Sequence, residues 1–275
     1  MRNAIRLILS LFCGATTIQT ILSFCGVSFP DHWLSCISGA VVFGVVVFCL
    51  NGFYLEGYLL KSASIPVKAL GMEVNVRRGD IFEQDGVVVI GANDFFDTVV
   101  DDSHISPQSL HGQMIKKFWG GNVHALDCEI EQQLRGIKYE SETRDGVAKE
   151  HRYPIGTSIF VADSYGHRFI MVALSRTDAK THRVQSLFKD LPVAIHGALS
   201  LARERANGDP VSFPLMGSMN ARIKAPEQAL FNELLTTIMS ECLENNKVSK
   251  QINIVLSKNS LKDLNMFQLQ KEWNV

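Results

Sequence analysis

Two patterns of hydrophobic and polar positions divide the chain. Residues 7–27 and 34–55 carry no formally charged side chain. At about 1.5 Å of rise per residue, each run would reach roughly 30 Å as a helix, enough to cross a bilayer core. Only Ser28, Phe29, Pro30, Asp31, His32 and Trp33 separate them. So short a link predicts an antiparallel membrane hairpin. Arg2 and Arg6 precede the first run, and Lys61, Lys68, Arg77 and Arg78 follow the second. The link itself has no Lys or Arg, which predicts that both chain ends face the cytoplasm. Trp33, Tyr54 and Tyr58 lie near the run ends, where the headgroup layer favours aromatic side chains. Cys36, Ala40 and Gly44 form a small-residue stripe that would let two helices approach closely. The first run also fits a cleaved signal peptide, but the second would still anchor the chain.

Beyond a connector at 61–71 the pattern changes. Residues 72–78 alternate like a strand, and 86–92 form a continuous β-branched run, as in a strand buried on both faces. Helical spacing follows at 106–119, where Pro107 suits a first turn, and at 123–134. Residues 136–153 are the most polar stretch and predict a surface loop or hairpin. Strands are predicted at 157–162, 168–174, 210–215 and 251–256, and helices at 184–206, 226–245 and 260–271. This alternation predicts an α/β domain over 72–275, a sheet with helices on both faces, behind a two-helix transmembrane hairpin at 1–60. Such sheets bind ligands at the carboxyl ends of their strands. Residues 93–102 and 217–222 are the loops at such ends.

Composition narrows the function classes. The formal charge of -1 gives no bias toward nucleic acid. Four of the six cysteines, Cys13, Cys25, Cys36 and Cys49, fall in the apolar region, and no Cys-x-x-Cys pair exists. The eight histidines lack metal-ligand spacing, so no metal site and no cofactor are expected.

Candidate chemistry gathers on the two loops. Asp80 follows a strand and Gly79; its carboxylate can accept from an adenine amino group or cap a turn, and Ile81 lies beside it. Asn93 ends the buried strand, with an amide that both donates and accepts, as ribose hydroxyls require. Asp97, Asp101, Asp102 and His104 form an acidic cluster with one imidazole, fit for acid/base work or for a solvated loop with a helix cap. The loop Gly217, Ser218, Met219, Asn220, Ala221, Arg222 can present backbone N–H groups to a pyrophosphate, with Arg222 adding charge. With one glycine, it is neither a P-loop nor a dinucleotide fingerprint.

Gly79-Asp80-Ile81-Phe82, the run from Asn93 to Thr98, Val100-Asp101-Asp102, Ser109-Leu110-His111-Gly112 and Phe213 to Ser218 together resemble a macro domain. Behind a membrane hairpin, they resemble the membrane-anchored macro-domain effectors of type II Thoeris anti-phage defence. The resemblance implies a macro-like mixed sheet. It also implies a receptor, not an enzyme, for an ADP-ribose-derived signal, histidine-ADP-ribose, made by a TIR-domain partner. Binding would trigger oligomerisation and damage to the bacterial inner membrane, ending growth. The ligand contacts it implies are Asp80, Ile81, Asn93, Asp97, Thr98, Val99, Asp101, Gly217, Ser218, Met219, Asn220 and Arg222. Macro domains commonly have a glycine-rich loop where this chain has Phe95, Phe96, Asp97, Thr98 and Val99, and a further glycine near Met219. Those departures favour a modified ligand, and the acids favour one with a cationic amino group. The alternatives are a membrane-tethered ADP-ribosyl hydrolase and a module that reads ADP-ribosylated partners.

Overall fold

The computed structural model describes residues 2–24, 26, 33–55, 57, 59–101, 103–144, 146, 148–218, 223–261 and 264–273. Described residues up to Ala63, with 264–273, make one compact unit; Ser64 to Leu261 make the other.

The first unit is helical. Helices α1 (Arg2–Phe24) and α2 (Trp33–Leu50) pack on each other, and α2 runs on into a π-helical turn, Asn51–Leu55. Ser38–Leu55 is long and apolar enough to cross a membrane; Ile5–Ile21 is a shorter apolar stretch. Most of the expected link between the helices lies outside the described residues, as does the Cys36 side chain. Close approach rests on glycine. A Cβ at Gly44 would lie 2.7 Å from Leu11 Cα, and one at Gly14 would lie 2.7 Å from the Ala40 carbonyl oxygen. Gly44→Leu is therefore expected to push the helices apart. A lower midpoint for loss of helicity in a denaturing-detergent titration would register this; an unchanged midpoint would contradict it.

The second unit is built on one sheet. Its strands are β1 (Ser62–Val67), β2 (Met72–Arg78), β3 (Val87–Asn93), β6 (Ser158–Ala162), β7 (Arg168–Thr177), β8 (Val184–Gln185), β9 (Val211–Pro214) and β10 (Gln251–Leu256); β4 (Glu140–Ser141) and β5 (His151–Arg152) form a separate ribbon. The order is β1-β2-β10-β9-β3-β7-β6, with β8 on β7. Strands β2, β10, β9, β3 and β7 are mutually parallel, whereas β6 and β8 run antiparallel to β7, so the sheet is mixed.

Alternation sends β3 and β7 side chains to both faces. Val88, Ile90, Phe169 and Met171 join Met114 and Ile115 of α3 (Leu110–Trp119) and Leu126 and Ile130 of α4 (Val123–Leu134). Helix α5 (Leu191–Arg205) packs on β7 and β6, and α6 (Glu227–Asn245) packs on α5. Gly197 of α5 permits that contact, because a Cβ there would lie 1.9 Å from the Gly156 carbonyl oxygen.

Three expectations need correction. Residues 61–71 hold β1, with Ala63, Ile65 and Val67 buried, because their alternation suits a strand beside β2. The expected helix at 184–206 starts only at Leu191, where Pro192 fills a first-turn position; Val184 and Gln185 pair with β7. The closing helix, α7 (Met266–Glu272), belongs to the first unit, not to the sheet domain. Asn265 caps α7 by accepting from the Phe267 and Gln268 N–H groups. Gly57 packs against that cap so closely that a Cβ would lie 2.4 Å from Asn265 Oδ1.

Candidate functional site

The parallel strands splay at their carboxyl ends. Strand β9 pairs with β3 only at Val87 and Val88, whereas it pairs with β10 as far as Pro214. Beyond Val88 the two strands diverge and leave a crevice. On the other side of β3 the register with β7 shifts between Ala92 and Asn93: Ala92 faces Ala173, but Asn93 faces Ser175. The extra residue, Leu174, makes a bulge, a device that re-aims side chains beside sites. Together these irregularities frame a cavity of about 520 Å³, lined by the ends of β3, β7 and β9, the start of α3 and residues 181–184.

Two of its walls can present backbone N–H groups. Ser109 caps α3, accepting from Gly112 N–H at 3.0 Å, and the first turn of α3 lines the cavity. Leu215, Met216, Gly217 and Ser218 also line it, turning after β9, with Gly217 at φ +82° and the Ser218 hydroxyl donating to the Leu215 carbonyl at 2.7 Å. A helix start and a glycine turn that face one cavity suit an anionic ligand group.

Of the residues expected at the site, Asn93, Gly217 and Ser218 line this cavity. Met219, Asn220 and Arg222 lie outside the described residues. Asp80 caps a 3-10 turn by accepting from Phe82 N–H at 2.9 Å, and Ile81 is buried in the core. The exposed Asp80 borders a neighbouring depression with Phe82, Pro107, Lys116 and Lys117. Gln113 is common to both hollows.

The first loop departs most from expectation. Residues 94–98 are buried, and their acids face protein. Asp97 accepts from both guanidinium nitrogens of Arg144 at 2.9 Å, from Lys149 N–H at 3.1 Å and from the Asn93 amide at 2.7 Å. Asn93 in turn accepts from Asp97 N–H at 3.0 Å, so both ends of its amide engage Asp97. Burial alone would raise the Asp97 carboxyl, but Arg144, Lys149 and Asn93 outweigh it and hold the group below its ordinary value. Asp94 pairs with Arg152 and accepts from Thr177 N–H at 2.9 Å.

Phe95 and Phe96 explain the missing glycines. Phe95 is fully buried, with the guanidinium carbons of Arg144 and Arg152 at 4.0 and 4.6 Å from its ring centre. Phe96 takes a left-handed backbone conformation, φ +52°, and packs edge-on against Tyr153. The loop is thus a core anchor, and the polar stretch 136–153 is the clamp that holds it.

The remaining expected contacts also point to protein. The Thr98 hydroxyl donates to Asp127 at 2.7 Å, and Asp101 accepts from the Ser103 and His104 N–H groups and pairs with His104 Nδ1 at 2.8 Å. Val99 is half-buried and does not line the cavity. Sequence reading missed Ser175, His182 and Arg183, all on the cavity wall. The bulge and the turn that place them leave no mark in the hydrophobic pattern.

His111 also lines the cavity, buried, with Nε2 lacking a partner. Burial pushes it down to about 4, against the pull of Asp97. The folded state therefore binds fewer protons than the unfolded state between pH 4 and the ordinary value of 6.5. Stability should fall as pH drops through that window, by about 3 kcal/mol from this group. His111→Gln should flatten the slope, read from urea unfolding at pH 4.5 and 7; an unchanged slope would contradict the burial argument.

The comparisons agree with this geometry. The family described as "Thoeris protein ThsA, Macro domain" matches residues 74–257. A Thoeris protein ThsA of Bacillus amyloliquefaciens (strain Y2) is 29% identical over 221 residues, 78% of this chain and 72% of its own length. Two solved structures of an Oceanobacillus iheyensis macrodomain share the fold at 17% identity and 77% coverage of this chain. Their TM-scores are 0.51 and 0.50, with 96% and 92% of those chains covered.

Proposed function

Because the chain belongs to the Thoeris ThsA macro-domain family, we propose that it is an anti-phage defence receptor and effector. Its cavity takes an ADP-ribose-derived signal, histidine-ADP-ribose, supplied by a TIR-domain partner. The carrying observation is the cavity at the ends of β3, β7 and β9, walled by the start of α3 and the Gly217 turn. A pyrophosphate would lie between those two walls, because a helix start and a glycine turn can offer it N–H groups. Asp80, across Gln113, is the group on hand for an adenine amino donor.

The effector half is the helical unit. Ile8, Leu9, Val41, Val42 and Val46 are exposed on its outer faces, which supports a hairpin that lies in the cell membrane with both ends cytoplasmic. Ligand binding drives self-association only if the assembled form binds the ligand more tightly.

The hydrolase alternative asks Asn93 and a loop carboxylate to hold a water. Asn93 and Asp97 are committed to each other, and Asp97 also to Arg144, which favours binding without turnover. The full chain in lipid vesicles loaded with dye tests the proposal. Histidine-ADP-ribose should cause leakage and be recovered intact. Intact vesicles at saturating ligand, or sustained release of free ADP-ribose, would overturn it.

A further inference from the structure

We propose that the rim of the cavity formed by Arg183, His104 and His182 is a subsite for an anionic substituent of the ligand, a carboxylate or a phosphate. The inference rests on the receptor reading above and names what that site selects.

Charge is the first argument. Among the described residues that line the cavity, none is acidic, and Arg183 is the one with a permanent charge. The acids nearby are taken up within the protein. Asp97 and Asp94 face Arg144 and Arg152, Asp127 faces Lys149, and Asp178 accepts from the Lys180 and Thr181 N–H groups. Asp101 sits two residues before the lining residue Ser103, and its oxygens face His104 and two backbone N–H groups. Arg183 is exposed and has no acidic partner among the described residues. Among the described residues the cavity lining thus presents a positive rather than a negative charge.

Unsatisfied nitrogens are the second argument. His104 Nε2 and His182 Nδ1 are both buried without a hydrogen-bond partner. The two rings meet edge to face, 4.5 Å apart, and both residues line the cavity. Buried polar atoms without partners are costly and uncommon, and these two neighbours at a cavity rim are the nitrogens a ligand can engage. Since His104 Nδ1 faces Asp101, Nε2 is the nitrogen left for a ligand. His182 holds φ +55°, a costly conformation outside glycine, which is fixed by the turn that Asp178 ties at 178–183. Strain of this kind is kept where the surroundings over-determine it.

Three probes test the subsite by calorimetry on the full chain: ADP-ribose, ADP-ribose with a carboxylate on its distal ribose, and ADP-ribose with a phosphate there. One or both derivatives should bind at least tenfold more tightly than ADP-ribose, and the stronger one identifies the anion. Arg183→Gln should remove that advantage selectively. His182→Asn tolerates the left-handed backbone and removes the imidazole, and it should reduce the same advantage. Equal affinity of the three probes, or equal loss for all three in Arg183→Gln, would overturn the subsite while leaving the receptor reading in place. Failure of every probe to bind the unaltered chain would overturn the subsite, and failure of histidine-ADP-ribose as well would overturn the receptor reading.

Discussion

Arg144→Met should destabilise the sheet domain by about 3–5 kcal/mol, the usual cost of leaving a buried charge without its partner. Arg144 and Asp97 are both essentially inaccessible, with side-chain exposures of 0% and 1%. Removing the guanidinium strips Asp97 of two hydrogen bonds and strips Phe95 of a stacked cation. Pairing Arg144→Met with Asp97→Leu should restore part of the loss, because two apolar side chains carry no stranded charge. The urea midpoints of the single and double variants check both statements. A single variant within 1 kcal/mol of the parent, by the same rough scale, would mean that the clamp does not hold the loop.

Gly217→Val should weaken ligand binding by at least about 100-fold, or roughly 2.7 kcal/mol. Gly217 stands at φ +82°, where a β-branched residue is strained, and a Cβ there would lie 2.6 Å from Ile223 Cδ1. The turn from Leu215 to Ser218 would have to reopen, and the cavity wall it forms would change. Gly208→Ala is the matched control, since Gly208 has φ +83° but nothing within 4 Å of a Cβ. It should cost about 1 kcal/mol of stability through backbone strain and leave affinity intact. Calorimetry with ADP-ribose and histidine-ADP-ribose on both variants separates the local effect from general strain.

Much of the sheet was legible because burial imposes period. Residues 86–92 read as a strand because a continuous apolar run suits a parallel sheet covered on both faces. Helix α4 runs from Val123 to Leu134, the span that its spacing predicts. Strand β1 was hidden because Ser62, Ser64 and Pro66 dilute its apolar half.

The site was legible in its frame and not in its contacts. Gly217, Ser218 and Asn93 sit where a strand-end loop should put them. The acids of the first loop could not be placed from sequence, because Arg144 and Arg152 come from a segment that reads as solvated surface. Their cost of burial is offset only by partners some 50 residues away, as Arg144 and Asp97 show. His182 was equally opaque, since a strained turn brings it to the cavity rim, whereas His104 stood out as the one imidazole of the acidic cluster.

Amide hydrogen exchange on the full chain with and without histidine-ADP-ribose tests the central claim most directly. Binding in this cavity predicts slowed exchange at Asn93, at 110–113 in the first turn of α3, at Ser175 and at 215–218, with little change in α6. Slowed exchange confined to other segments, or none at saturating ligand, would contradict the assignment of the cavity as the receptor site.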